Sequence, residues 1–154
     1  MHAADLVVGG SGELSGGAGG LKDGAVAVDG ARIAAVGTLT ELTARFPGAR
    51  VRRWPGVLGP GLVHDGPLPD APSPRERVHA VLKRGATAVL AAYADTAELR
   101  GAAERNDVRV VAGNASPGPL DAGGRADLAV FAGEYGVGEA VATVCAGRLV
   151  HRRR

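Results

Sequence analysis

Apolar residues fall in short runs cut by glycine at both ends of the chain, and take helical spacing only in the middle. From Ala4 to Val36 the runs are DLVVGG and GAVAVDGARIAAVG, where Val26 and Val28 alternate with small residues, Asp29-Gly30 supplies a turn, and Ile33 and Val36 follow. Residues 24–36 therefore predict a β-hairpin. The intervening SGELSGGAGGLKDG is glycine-rich but lacks the Gly-Lys-Ser/Thr ending of a phosphate loop, and reads as a flexible connection. A short helix over 38–45, a strand RVRRW at 50–54 and a Gly-Pro-Gly turn at 59–61 complete this part. Alternation on that strand sends Arg50 and Arg52 outward together, onto a solvated face.

The middle has a different rhythm. Ser73-Pro74-Arg75-Glu76 combines an N-cap serine, proline at the first helical position and glutamate three residues after the cap, which together start a helix. Val78, Val81 and Leu82 give that helix an apolar face, and Lys83, Arg84 and Gly85 end it in favour of its dipole. ATAVLAAY then predicts a buried strand, Asp95 with Glu98 caps a second helix running to about Asn106, and VRVVAG is a further strand. With GLV at 61–63 the order is β-α-β-α-β, for which parallel pairing is expected. After NASPGPLDAGG the opening rhythm returns in ADLAVFAG and in EAVATVCAGRLVHR, a second hairpin turning at Ala146-Gly147. Ends that read alike around a different middle predict one β-unit closed by both chain termini.

Composition narrows the function classes. The 154 residues are too few for an eight-fold βα barrel of about 250 residues. The net charge of +2 is small and much of the excess sits at His151 to Arg154, so nucleic acid is not an expected partner. No apolar run approaches the roughly 20 residues of a membrane span, and a single cysteine, Cys145, suits a reducing compartment. A cytoplasmic protein away from the membrane is expected. Arginine carries nearly all the positive charge, and Ala and Gly are heavily used, as in a GC-rich bacterial genome.

The two ends resemble the amidohydrolase superfamily, the metal-dependent hydrolases that include imidazolonepropionase, aminodeoxyfutalosine deaminase, cytosine deaminase and dihydroorotase. DGARIAAVG at 29–37, TLTELTARFPGARVRRWPG at 38–56 and GPGLVHDG at 59–66 are similar to that family's opening segment, whose strand ends in PGLVDAHTH. GRADLAVF at 124–131 and VATVCAGRLV at 141–150 are similar to its closing strand and hairpin, and GATAVL at 85–90 to the strand after its first barrel helix. The resemblance implies an α+β, mostly β fold: a composite β-sandwich built from residues 1–58 and 123–151, an inserted βαβαβ remnant of the (β/α)₈ barrel at 59–113, and a linker at 114–122. The roughly 60 residues between Leu62 and Gly123 hold two and a half βα units of about 30 residues each.

The resemblance also implies a His-x-His metal pair at the end of the first barrel strand. Laid on that motif, Gly66 and Leu68 occupy the two histidine positions and His64 the preceding aspartate. Neither Gly66 nor Leu68 carries a donor atom, so no metal or other cofactor is expected. His64 and Asp65 are the candidates for a rebuilt site, with Asp70 nearby, yet a catalytic zinc wants three converging protein ligands. A satisfied loop histidine is the favoured reading of His64, a helix flank that of His79, and a small buried core residue that of Cys145. The expected protein is a pseudoenzyme: a non-catalytic scaffold or partner-binding protein, working as a homodimer or with a protein partner. The alternative is a small hydrolase acting on C–N bonds through a zinc site rebuilt or completed by another chain.

Overall fold

In the computed structural model, which describes residues 1–9 and 19–154, the first hairpin joins β2 (Leu21–Asp29) to β3 (Arg32–Thr38). Asp29 pairs with Arg32, so the loop is Gly30-Ala31 rather than Asp29-Gly30, and Gly30 takes the positive φ of 55° that the first position of such a turn needs. The strand also begins three residues earlier than the alternation suggested, taking in part of the glycine-rich segment read as a connection. Residues 11–18 of that segment lie outside the described residues.

Strand β1 (His2–Val7) runs antiparallel to β2 and parallel to β4 (Arg52–Pro60). Helix α1 (Leu39–Arg45) lies between β3 and β4, and Thr38 and Glu41 close a reciprocal capping box at its start. Strand β4 corrects the expected 50–54 strand and the Gly-Pro-Gly turn: it continues through Gly59 and Pro60, which pair with Ala129 and Leu128. Pro55 is tolerated inside it because Pro55-Gly56 forms a bulge, three steps on β4 against two on β1. Gly56 takes φ 87° there, and its amide donates to the Asp5 carboxylate at 2.7 Å.

Both chain ends share one seven-stranded sheet, in the order β10-β9-β8-β4-β1-β2-β3, with β8 (Leu128–Phe131), β9 (Ala142–Cys145) and β10 (Arg148–Arg152) from the C-terminal part. The sheet curls until its far edge meets the segment before β8. Ile33 donates to Gly124 O at 2.8 Å, Ala126 to Ala31 O at 2.9 Å, and Arg32 bridges Arg125. The two hairpin turns touch as well, since a side chain on Gly147 would meet the Gly30 carbonyl. Inside the curl Val7, Val26, Ile33, Trp54, Leu58, Leu128, Val130 and Val144 form the main core.

Strand β5 (Leu62–His64), helix α2 (Pro74–Leu82), β6 (Ala86–Leu90), helix α3 (Ala97–Arg105) and β7 (Arg109–Val111) form a separate three-stranded parallel sheet in sequence order. Ser73 caps α2 as expected, its Oγ accepting from the Glu76 amide. Helix α3 is capped by Thr96, which accepts from Leu99, and not by Asp95; Glu98 sits one position early for a capping box and serves the helix dipole. The predicted strand 86–93 stops at Leu90, where Ala91–Tyr93 form a single 3₁₀ turn. The chain itself buries all of β6. Helices α2 and α3 share a core with Leu68, Val89 and Cys145. On the other side Ala129 and Phe131 of β8 reach Gly85, while their neighbours Leu128 and Val130 enter the main core. Strand β8 is thus buried on both faces, the reason LAVF lacks polar alternation.

Candidate functional site

His64 is the last residue of β5, at the end of a parallel sheet where βα loops build sites in open α/β architectures. Its Nε2 lies 3.2 Å from the Pro67 carbonyl oxygen, inside its own loop. With Leu62 and Val63 it forms one wall of a cleft of about 620 Å³, closed by Ala80, Lys83 and Arg84 at the end of α2 and by Gly136, Gly138 and Glu139 across it. Asp65 and Asp70 are exposed, and neither is joined to His64. Among the described residues no three His, Cys, Asp or Glu side chains converge as a metal ion would require.

The two residues laid on the metal-histidine positions lie in different surroundings. Gly66 has φ 153° and open space where a side chain would project. Leu68 is 3% exposed and packs with Val78, Val81 and Leu82 under α2. The structure therefore does not bring His64, Gly66 and Leu68 onto one surface.

The other candidate residues are also placed. Cys145 is fully buried, and burial first, with the Asp127 carboxylate adding, pushes its thiol up to about 12, which disfavours the thiolate. His79 is exposed on α2 and meets the His151 ring edge-on at 6.0 Å. His151 is buried beside the Ala140 carbonyl at 3.1 Å, and burial lowers its pKa. Arg50, Arg52 and Arg53 are all exposed.

Sequence reading passed over Asp127. This carboxylate, 7% exposed, accepts from the Ala146 amide at 2.9 Å and lies 3.1 Å from Arg125 Nε and 3.2 Å from Arg109 Nε. The two arginine contacts have ion-pair distances without hydrogen-bond angles, so they act through charge. Because Ala146 holds φ 47°, costly for a residue with a side chain, Asp127 pins the strained turn of the closing hairpin and ties β7 to the large sheet. The Asp in GRADLAVF was the available signal, a carboxylate flanked by apolar residues.

Among the described residues no helix is long and apolar enough to cross a membrane. No curated protein sequence matches the chain. Among solved structures it is similar to E. coli guanine deaminase, at 16% identity and a TM-score of 0.48 over 73% of this chain and 37% of that one. It is similar to A. niger ochratoxinase at 17% identity and 0.44, over 72% and 29%, and to Helicobacter pylori aminofutalosine deaminase at 21% and 0.39, over 57% and 26%. The chain thus spans well under half the length of each. Residues 24–49, which hold most of the first hairpin and helix α1, match the imidazolonepropionase-like composite domain of bacteria, and through that domain the chain resembles the amidohydrolase superfamily.

Proposed function

We propose that this chain is an amidohydrolase-like composite β-unit in which a short βα segment stands where the family's catalytic barrel would be, and that it works as a non-catalytic scaffold or partner-binding protein in the bacterial cytoplasm. In this reading the curled seven-stranded sheet is the composite sandwich and the β5-β6-β7 sheet the barrel remnant. The observation that carries it is Leu68. It occupies the position of the second metal histidine and is a core residue beneath α2, where an imidazole would lose water and gain no partner. Gly66, at the first position, has no donor atom.

The outer strands β5 and β7 favour association. Among the described residues each has a ladder partner on one side only, and Val110 of β7 is 37% exposed. We favour a homodimer or a protein partner at these edges over a nucleic acid. The cleft beside His64, with Lys83, Arg84 and Glu139, is what favours the second reading, a small hydrolase of C–N bonds completed by another chain and using zinc.

Elemental analysis of the dialysed protein separates the two. The first reading expects no stoichiometric zinc, iron or manganese. About one metal per chain, lost in His64→Ala, would overturn it in favour of the second. Light scattering tests the association: a monomer at micromolar concentration with the 86–90 and 109–111 amides fully protected from exchange removes it.

A further inference from the structure

Strand β4 pairs with β8 only from Val57 to Pro60, while Arg52, Arg53 and Trp54 are held by β1 alone. The side of β4 left open there is approached by the end of β10, three strands away in the sheet order, because the sheet curls. The result is a cleft of about 320 Å³ lined by Arg50, Arg52, Arg53, Trp54, Leu149 and Arg152. Four guanidinium groups surround it, and among the described residues no carboxylate lines it.

Two facts separate this group from an ordinary solvated arginine face. Arg152 is held in place, its guanidinium 5.7 Å from the centre of the Trp54 ring. None of the four arginines makes an ion pair among the described residues, whereas the other arginine-rich cleft, around Arg109 and Arg125, carries its own Glu104, Asp107 and Asp127. Arg53 also faces a small neighbouring cavity that Asp5 and Asp23 line, so Arg50, Arg52 and Arg152 carry the uncompensated charge. The field reaches nearby groups: after burial, Arg52 contributes to lowering both the Met1 amine and His2.

We infer that this cleft binds a small multivalent oxyanion of the phosphate or pyrophosphate class. Guanidinium forks match such oxygens in pairs, and clustered like charges are relieved only by a counter-charge shared among them. The Trp54 ring is 7% exposed and covered by Arg152, so it offers no face on which a base could stack. That argues for a compact anion over a nucleic acid strand, whose binding would draw on such stacking.

Trp54 is the only tryptophan of the chain, so its fluorescence reports the cleft directly. The full chain is titrated with sodium pyrophosphate at constant ionic strength, alongside Arg52→Gln/Arg152→Gln and, as a control far from the cleft, Arg75→Gln, with folding checked by circular dichroism. A saturable change is expected, weakened about tenfold or more in the double variant and unaltered in the control, since each lost charge-assisted hydrogen bond costs on that order. If Arg152→Gln unfolds the protein, Arg52→Gln alone must still weaken binding. No saturation by about 10 mM, a weakness beyond any specific site, would overturn the inference. So would equal binding by the cleft variants and the parent, or tighter binding of a single-stranded oligonucleotide than of pyrophosphate at equal phosphate concentration.

Discussion

Trp54 Nε1 donates a hydrogen bond to His2 Nδ1 at 3.2 Å, with the two ring planes parallel to within 5°. The pair is made by strand register: Ala4 stands opposite Trp54 and His2 opposite Arg52 in the parallel β1-β4 ladder, so His2 and Trp54 are diagonal neighbours on one face. An indole N–H can only donate, so Nδ1 must stay unprotonated for the bond to exist.

This makes stability pH-dependent. Burial first, then the Met1 amine and Arg52, lower the His2 pKa from 6.5 to about 4. As pH falls from 6.5 toward 4 the unfolded chain takes up a proton that the native chain refuses, so the stabilisation is complete above 6.5 and is lost on the way down to 4. That shift corresponds to roughly 3 kcal/mol at most, with buried His151 acting in the same direction. Urea unfolding followed by Trp54 fluorescence should show falling stability from pH 7 to pH 4, and a shallower fall in His2→Gln, which keeps an acceptor but does not titrate. Equal slopes in the two proteins would dismiss His2 as the source.

The docking of α2 on the large sheet depends on Thr143. Its buried hydroxyl donates to the Leu82 carbonyl at 2.7 Å, which also accepts from the Gly85 amide at 3.0 Å in the turn that ends the helix. Thr143→Val keeps the shape and removes the donor, and is expected to cost about 1–2 kcal/mol. Denaturant midpoints of the two proteins check it; coincident midpoints would mean that the Gly85 amide alone satisfies the Leu82 carbonyl.

Asp127 should matter through the turn it holds more than through its arginines. Arg109 and Arg125 are 38% and 30% exposed and can regain water, so Asp127→Ala is expected to cost about 2 kcal/mol, less than a fully buried pair would. Asp127→Asn retains an acceptor for the Ala146 amide and should recover about half of that loss. If both substitutions cost the same, charge and not the turn is what Asp127 supplies.

Gly85 is required by both backbone and packing. It has φ 81°, and a side-chain carbon there would stand 2.7 Å from the Phe131 ring. Gly85→Ala is therefore expected to lose at least about 2 kcal/mol. Thermal unfolding measures it, and a melting temperature equal to the parent's would show that Phe131 moves aside without cost.

The features legible in the sequence were those decided within a few residues. Ser73 caps α2 because its hydroxyl reaches an amide three residues on, and Ala146-Gly147 turns because the strands on either side pair with each other. The β-α-β-α-β order and the absence of donors at Gly66 and Leu68 follow from local pattern and from residue type alone. Local chemistry failed where two residues could do the same work, as with Asp95 and Thr96 before α3, and where the strand expected at 50–54 ran on through a bulge to Pro60. Tertiary structure decided everything that needed a distant partner: the burial of Leu68 beneath α2, the hold of Asp127 on Ala146, and the meeting of Arg52 with Arg152 beside Trp54. The last of these exists because a seven-stranded sheet curls until its ends touch, and that curvature is a property of all its strands together, which no single segment encodes.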